Sequence, residues 1–296
     1  MREYQYLATE SYDDGAIVKI LLNRPETRNA QNPGLLYELE EAFVAAETDD
    51  RVRVVILGGV GPSFSSGHDM GSKEALADRD ERAHRGPELG EGATLPGREA
   101  PMRYEWHHFL QNTLRWRNLR KITVAAVQGK CYAGGLMLAW ACDLIVAAED
   151  VEFADVVGTR LGMCGLEYFG HPWEFGPRKA KELLLTGDSI GAEEAHRLGM
   201  VSKIFPNDRF DEDTLAFARR IAKLPSFTAL MIKESVNQTV DNMGFYNSLQ
   251  ACFTIHTLNH SHWGELTARE AATGEPAGMP NWRAAGPVQP AQVGAP

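Results

Sequence analysis

The sequence is most informative first in what it lacks. Nowhere in its 296 residues does an apolar run approach the ~18 residues that a membrane-crossing helix requires. The opening residues, Met1 to Tyr6, have no apolar stretch of the kind a signal peptide carries, so cytoplasmic residence is expected. Cysteine is scarce. Cys131, Cys142, Cys164 and Cys252 show no metal-ligand spacing, and buried thiols are the expectation for them. Positive charge is in deficit: 30 Lys and Arg stand against 40 Asp and Glu, for a net charge of −10. That balance argues against a nucleic-acid partner, which needs a basic surface. No dinucleotide-binding fingerprint and no metal motif appears, so neither a redox cofactor nor a metal is expected.

What is present is an ordinary globular composition, 44% hydrophobic and 24% charged, in a chain long enough for one large domain or two smaller ones. Ile17 to Leu22, Val52 to Leu57, Ile122 to Val127 and Leu144 to Ala148 read as buried strands, being short and rich in branched residues. Between the first two lies a helix. Asn32 is placed to cap it, Pro33 suits its first position, and Leu35, Leu36, Leu39, Phe43 and Ala46 recur at helical spacing. The order strand–helix–strand predicts right-handed crossovers and an α/β fold. Further helices are expected over Tyr104 to Arg117, Pro177 to Thr186 and Gly191 to Leu198, the last closed by Gly199. From Phe210 to about His262 the pattern is helical again. Residues 71–103 are dense in charge, Gly and Pro and read as an insertion, either a solvated loop or a lid.

Two glycine turns carry the chemistry. In Phe64 to Met70, Gly67 precedes His68. In Gln128 to Leu136, Gly134 and Gly135 open the apolar run Leu136 to Ala141. Glycine lets the backbone bend and another group come close. One backbone N–H from each turn, aimed at the same oxygen, would hold a developing oxyanion, and the helix opening at Gly134 adds a favourable dipole.

These turns lie roughly 65 residues apart, each after an apolar strand. Together with Leu22 to Ala30, Ala126 to Gly129, Cys142 to Ile145, Leu185 to Asp188, Ala192 to Ala195 and Leu198 to Ser202, they resemble the crotonase superfamily, the enoyl-CoA hydratase/isomerase enzymes. The resemblance runs from about residue 15 to about residue 262. It implies a spiral of repeated strand–strand–helix units followed by a C-terminal helical region that packs at a trimer interface. The expected division is a core over 1–207 with 71–103 as a flexible insertion, a helical region over 208–264, and a disordered tail over 265–296.

The resemblance also implies site residues. The donors would be the backbone N–H groups of His68 and Gly134, with Ser66, Gly67, Asp69, Met70 and Gly135 around the substrate. The His68 imidazole is expected to pack beside the acyl chain or to hydrogen-bond Asp69, a titrating role being the alternative. Arg24 would border the groove for coenzyme A, with Lys73 as a second phosphate contact. Coenzyme A is then the substrate carrier and no separate cofactor is implied.

Family hydratases carry two glutamates that move protons to and from the added water. Met137 stands where the first is expected, and Val156 or Val157 where the second is. Asp155 is the nearest carboxylate but off register. Some relatives, isomerases and a dehalogenase among them, place an acid a few residues past the glycine that matches Gly162. Glu167 falls there, flanked by Leu166, Tyr168 and Phe169, and is expected to be the principal acid/base with a raised pKa. His171 would share its face if the segment were helical, with Tyr168 and Trp140 as pocket walls. Trp106, His107 and His108 would line the acyl end or pack in the core.

The function implied is that of an acyl-CoA-transforming enzyme with an enolate-like intermediate and atypical acid/base residues. Thioester hydrolysis, other enolate chemistry, or acyl-CoA binding without turnover are the alternatives. A homotrimer or homohexamer is expected.

Overall fold

The computed structural model describes residues 3–82, 97–276, 278, 280 and 285–291. Its strands are β1 (Leu7–Tyr12), β2 (Ile17–Leu22), β3 (Val54–Gly59), β4 (Ile122–Val127), β5 (Lys130–Tyr132), β6 (Leu144–Ala148), β7 (Glu152–Ala154), β8 (Ile190–Gly191) and β9 (Lys203–Phe205). The α-helices are α1 (Pro33–Thr48), α2 (Lys73–Arg82), α3 (Glu99–Tyr104), α4 (Asn112–Arg117), α5 (Gly134–Trp140), α6 (Val157–Leu161), α7 (His171–Phe175), α8 (Pro177–Thr186), α9 (Ala192–Leu198), α10 (Phe210–Ala222), α11 (Ser226–Asn242) and α12 (Phe245–Thr273).

Two sheets are built, one six-stranded in the order β1-β2-β3-β4-β6-β9 and one three-stranded in the order β5-β7-β8. Only the outer hairpin β1–β2 is antiparallel in the large sheet. The units β4-β5-α5 and β6-β7-α6 each place one strand in each sheet and then a helix, which is the expected strand–strand–helix spiral. Parallel strands covered on both faces need apolar residues throughout, and Val54 to Leu57 and Val124 to Val127 are all buried. One face packs with Leu36, Leu39, Phe43 and α5. The other packs with Phe210 and Ala218 of α10.

The α1 start agrees with its sequence signals: the Asn32 side chain accepts from the Leu35 N–H at 3.1 Å, with Pro33 next. Strand β1 is an addition to the expected elements. Its pattern is half-exposed because it is the edge strand of the sheet.

Two boundaries need correction. Residues 71–103 are not one loop, since α2 and the start of α3 occupy both ends; the centre of that insertion, 83–96, lies outside the described residues. The expected tail at 265–296 begins as helix, because α12 continues to Thr273. Residues 285–291 then return to the body. The Ser189 N–H donates to Gln289 O at 2.8 Å, the Ala291 N–H to Ser189 O at 2.7 Å, and Arg160 to Gly286 O at 2.8 Å. Backbone pairing fixes this segment although its composition is poor in apolar residues. Among the described residues, no helix is long and apolar enough to cross a membrane.

Candidate active site

The site is assembled by backbone pairing between distant segments. The Phe64 N–H donates to Gln128 O, Ser65 N–H to Lys130 O and Tyr132 N–H to Ser65 O, so residues 64–66 run beside β5 as an added strand. Both segments then turn at the same level. A Cβ built on Gly67 would sit 3.1 Å from Gly134 N, which measures how closely the two turns adjoin. Gly67 has φ +99°, a conformation that side chains disfavour. Gly135 is required by contact, since a Cβ there would lie 2.6 Å from Ser65 O.

The His68 turn is held from the other side. The Gln31 N–H donates to Gly67 O and the Asp69 N–H to Gln31 O. Those bonds come from the residues flanking His68, so the His68 N–H faces away from Gln31. Gly134 is the first residue of α5, and its N–H has no acceptor within the helix. Ala133 before it adopts φ 48° and ψ −122°, a costly conformation for a residue with a side chain, held by its N–H bond to Ala154 O.

The His68 imidazole does not hydrogen-bond Asp69, one of the two places expected for it. Asp69 is committed elsewhere: one carboxylate oxygen accepts from the Ser72 N–H, the other from the Ser72 hydroxyl and Arg24. The His68 ring instead stacks on Phe109 at 3.7 Å and 13° and lies over Gly134. Its Nε2 points to Glu167 Oε2 at 3.6 Å, slightly beyond hydrogen-bond length.

Glu167 is buried at the centre of the site as expected, but its ionisation is the reverse of expectation. Burial alone would push the carboxyl up. The charge of His256 and the approach of His68 outweigh it and hold the group below the usual carboxylate range. Glu167 Oε1 lies 3.6 Å from His256 Nε2, and His256 is 3.6 Å from Glu105. Glu105 in turn meets His260 Nδ1 at 2.8 Å. His256 and His260 sit one turn apart on α12. Glu105 opens a stretch of wide π-helical turns, Glu105–Gln111, that also carries Phe109.

Sequence reasoning missed Glu105, His256 and His260. The available signal was the i, i+4 histidine pair on an otherwise ordinary amphipathic helix. Nothing in the sequence marked Glu105 as its partner, because the pairing spans some 150 residues.

Other expected site residues are displaced. His171 does not share a face with Glu167. Gly162 at φ +70° and Gly165 at φ +138° interrupt any helix there, and α7 starts only at His171. His171 Nε2 instead meets Asp155 at 2.9 Å, while the other Asp155 oxygen accepts from the Val157 N–H at the start of α6. Trp140 and Tyr168, expected as pocket walls, are both buried in the hydrophobic core. The indole N–H of Trp140 donates to Met200 Sδ, and Tyr168 packs edge-on against Phe245. Met137 and Val157 are buried and apolar. Ser66 donates to Thr27 O, bracing the first turn. Met70 and Lys73 are exposed, as is Trp106, whereas His108 packs between the Tyr37 and Tyr104 rings.

Arg24 is the clearest correction. It is 1% exposed, with Nη1 on Asp69 at 3.0 Å and Nη2 on Glu74 at 2.6 Å. A guanidinium so enclosed and neutralised anchors α2 to the His68 turn and does not present itself to a phosphate. Arg24→Leu is expected to destabilise the fold by about 3–5 kcal/mol, as removal of one partner from a buried pair does. Urea unfolding measures it. A phosphate-binding role would instead raise KM and leave the midpoint in place.

Comparison with known proteins agrees with this geometry. The family model described as Enoyl-CoA hydratase/isomerase matches residues 13–90 and 85–263. The chain is 60% identical to "Putative enoyl-CoA hydratase EchA13" of Mycobacterium tuberculosis over 292 residues, covering 98% of this chain and 92% of that one. It is 28% identical over 264 residues to 4-chlorobenzoyl coenzyme A dehalogenase-2 of an Arthrobacter species, covering 87% of each. Among solved structures it is similar to a probable enoyl-CoA hydratase from Mycobacterium smegmatis, with a TM-score of 0.77, 42% identity, and coverage of 92% of this chain and 98% of that one. A spiral of strand–strand–helix units, two adjoining glycine turns and matches along nearly the whole length place this chain in the enoyl-CoA hydratase/isomerase family.

Proposed function

We propose that this enzyme shifts a proton between carbons of an unsaturated acyl-CoA thioester, using His68 and Glu167 as one acid/base unit. The observation that carries the reading is the placement of the His68 imidazole over the Gly134 turn with Nε2 directed at Glu167. The thioester oxygen accepts from the N–H groups of His68 and Gly134, which stabilise the charge that gathers there as the α-carbon becomes enolate-like. His68 takes the proton and the ionised Glu167 stabilises the resulting imidazolium. Return of the proton at another carbon completes an isomerisation. With Met137 and Val157 apolar, a single proton-transfer centre stands where family hydratases use two, and one centre suits removal and return of the same proton. The 3.6 Å contact would tighten with substrate bound.

Hydration is the second reading, favoured by the name of the 60% identical relative. Coenzyme A serves as carrier, with exposed Lys73 at the start of α2 as a phosphate contact. The enzyme works in the cytoplasm as a homotrimer or a pair of trimers. The apolar side chains that α11 and α12 leave exposed, Phe227, Val236, Ile255 and Leu258 among them, support burial against another copy.

A panel of 2-enoyl- and 3-enoyl-CoA thioesters tests the reading. Isomerisation of the 3-enoyl substrate creates the conjugated thioester absorbance, hydration of the 2-enoyl substrate removes it, and hydrolysis releases free thiol. Tight binding of the thioesters with none of these changes would leave a non-catalytic binder and end the proposal.

A further inference from the structure

Behind the proton-transfer pair lies a cluster that the proposed chemistry does not use. Glu105, His256 and His260 each offer a ligand atom, and these three atoms all lie within 4.8 Å of one another. Glu105 Oε1 is 2.8 Å from His260 Nδ1, and Glu105 Oε2 is 3.6 Å from His256 Nε2. Donors bound to one zinc-sized ion at 2.0–2.2 Å stand about 3.3 Å apart, so the observed spacings bracket those of a ligand shell.

The tautomer is set for this role. His256 Nδ1–H donates to Gly165 O at 2.8 Å, which turns Nε2 inward, where a bound ion would displace the proton that the two carboxylates favour on it. His256 is 1% exposed, and its Nε2 has no hydrogen-bond partner among the described residues; neither has Oε2 of the buried Glu105. Once the imidazole gives up that proton both atoms are lone-pair donors, so one cation between them would satisfy both. Glu167 Oε1 approaches the same nitrogen at 3.6 Å, so two buried carboxylates share this space. A dication would neutralise both.

We propose that Glu105, His256 and His260 bind a divalent transition-metal ion, zinc by the softness of the two-imidazole, one-carboxylate set, with an oxygen of Glu167 beside it as a fourth donor. The ion ties α12 to the π-helical turns and braces the wall behind Glu167. Half-buried His260 leaves a way in from the surface. This inference rests on the cluster alone, so metal binding and acyl-CoA turnover can fail separately.

The test is metal content by mass spectrometry on untagged full-length protein, followed by chelation and titration with Zn²⁺ and Co²⁺. About one ion per chain is expected, with Co²⁺ giving the ligand-field absorption of a nitrogen- and oxygen-ligated site. His260→Ala and Glu105→Gln are each expected to weaken Zn²⁺ binding at least about tenfold. Should those variants fail to fold, the wild-type imidazole NMR signals decide. Loss of the His256 Nε2 proton on adding Zn²⁺ supports the site. Protein that carries no ion and takes up neither metal at micromolar concentration, with His256 protonated at both nitrogens, overturns it: a proton then fills the place proposed for the metal. An ion retained at full affinity in both variants lies elsewhere and overturns it equally.

Discussion

Glu167→Gln is expected to lower kcat on the best acyl-CoA substrate by about 10²–10⁴-fold, the usual contribution of a positioned acid/base group. The amide keeps the size of the side chain and removes its charge. His68 then has no anion to stabilise its protonated form, so the step that creates imidazolium becomes uphill. Binding should change little, because the thioester is held by backbone N–H groups that the substitution does not touch. His68→Ala should cost a similar factor. The double variant should cost little more than either alone, since residues acting as one unit are not additive. Steady-state kinetics of the two single variants and the double variant reads this directly. An unchanged kcat in Glu167→Gln would remove the pair from the mechanism.

Gly67→Ala is expected to be nearly as damaging for a different reason. The backbone there has φ +99°, and an added Cβ would meet Tyr132 O at 3.0 Å and Gly134 N at 3.1 Å. The methyl group therefore enters the space between the two turns and must force them apart. Losing one well-aimed donor to the oxyanion typically costs about 10²–10³ in kcat. The unfavourable φ adds about 1–2 kcal/mol of destabilisation. The separable signature is a fall in kcat beyond the loss of folded protein, measured by activity per native molecule after a thermal melt. Wild-type kcat in that variant would mean that the turns do not act together on one oxygen.

Much of this was readable in the chain because it is written locally. Asn32 and Pro33 announce α1, the branched runs announce β2 and β4, and Gly199 closes α9 at φ +91°. The glycines at 67, 134 and 135 are legible for the same reason: each answers a backbone demand at its own position. Long-range pairings were not. Arg24 reads as a surface cation until Asp69 and Glu74 enclose it, and no local pattern announces that. A face shared by Glu167 and His171 depended on helix between them, and residues 167–170 are not helical. The Glu167 pKa was misjudged because the apolar neighbours in sequence are not the neighbours in space, which are imidazoles from residues 68 and 256.

The wide turns between Glu105 and Gln111 set how much chain the centre of the molecule needs. Such a stretch fits more residues into each revolution than an ordinary helix does. Phe109 against His68 and Glu105 against α12 are four apart, a spacing that already shares one face in a regular helix, so the wide turns set instead how that face lines up with the helices on either side. The orientation of both groups depends on the count of residues in this segment as well as on their identity. Deleting a single residue would let the coil close to its regular pitch, with α3 and α4 keeping their faces while the residues inside the stretch shift by one place. Relatives that differ here by one position would thus carry a different wall at the heart of the enzyme, even where every surrounding side chain is the same.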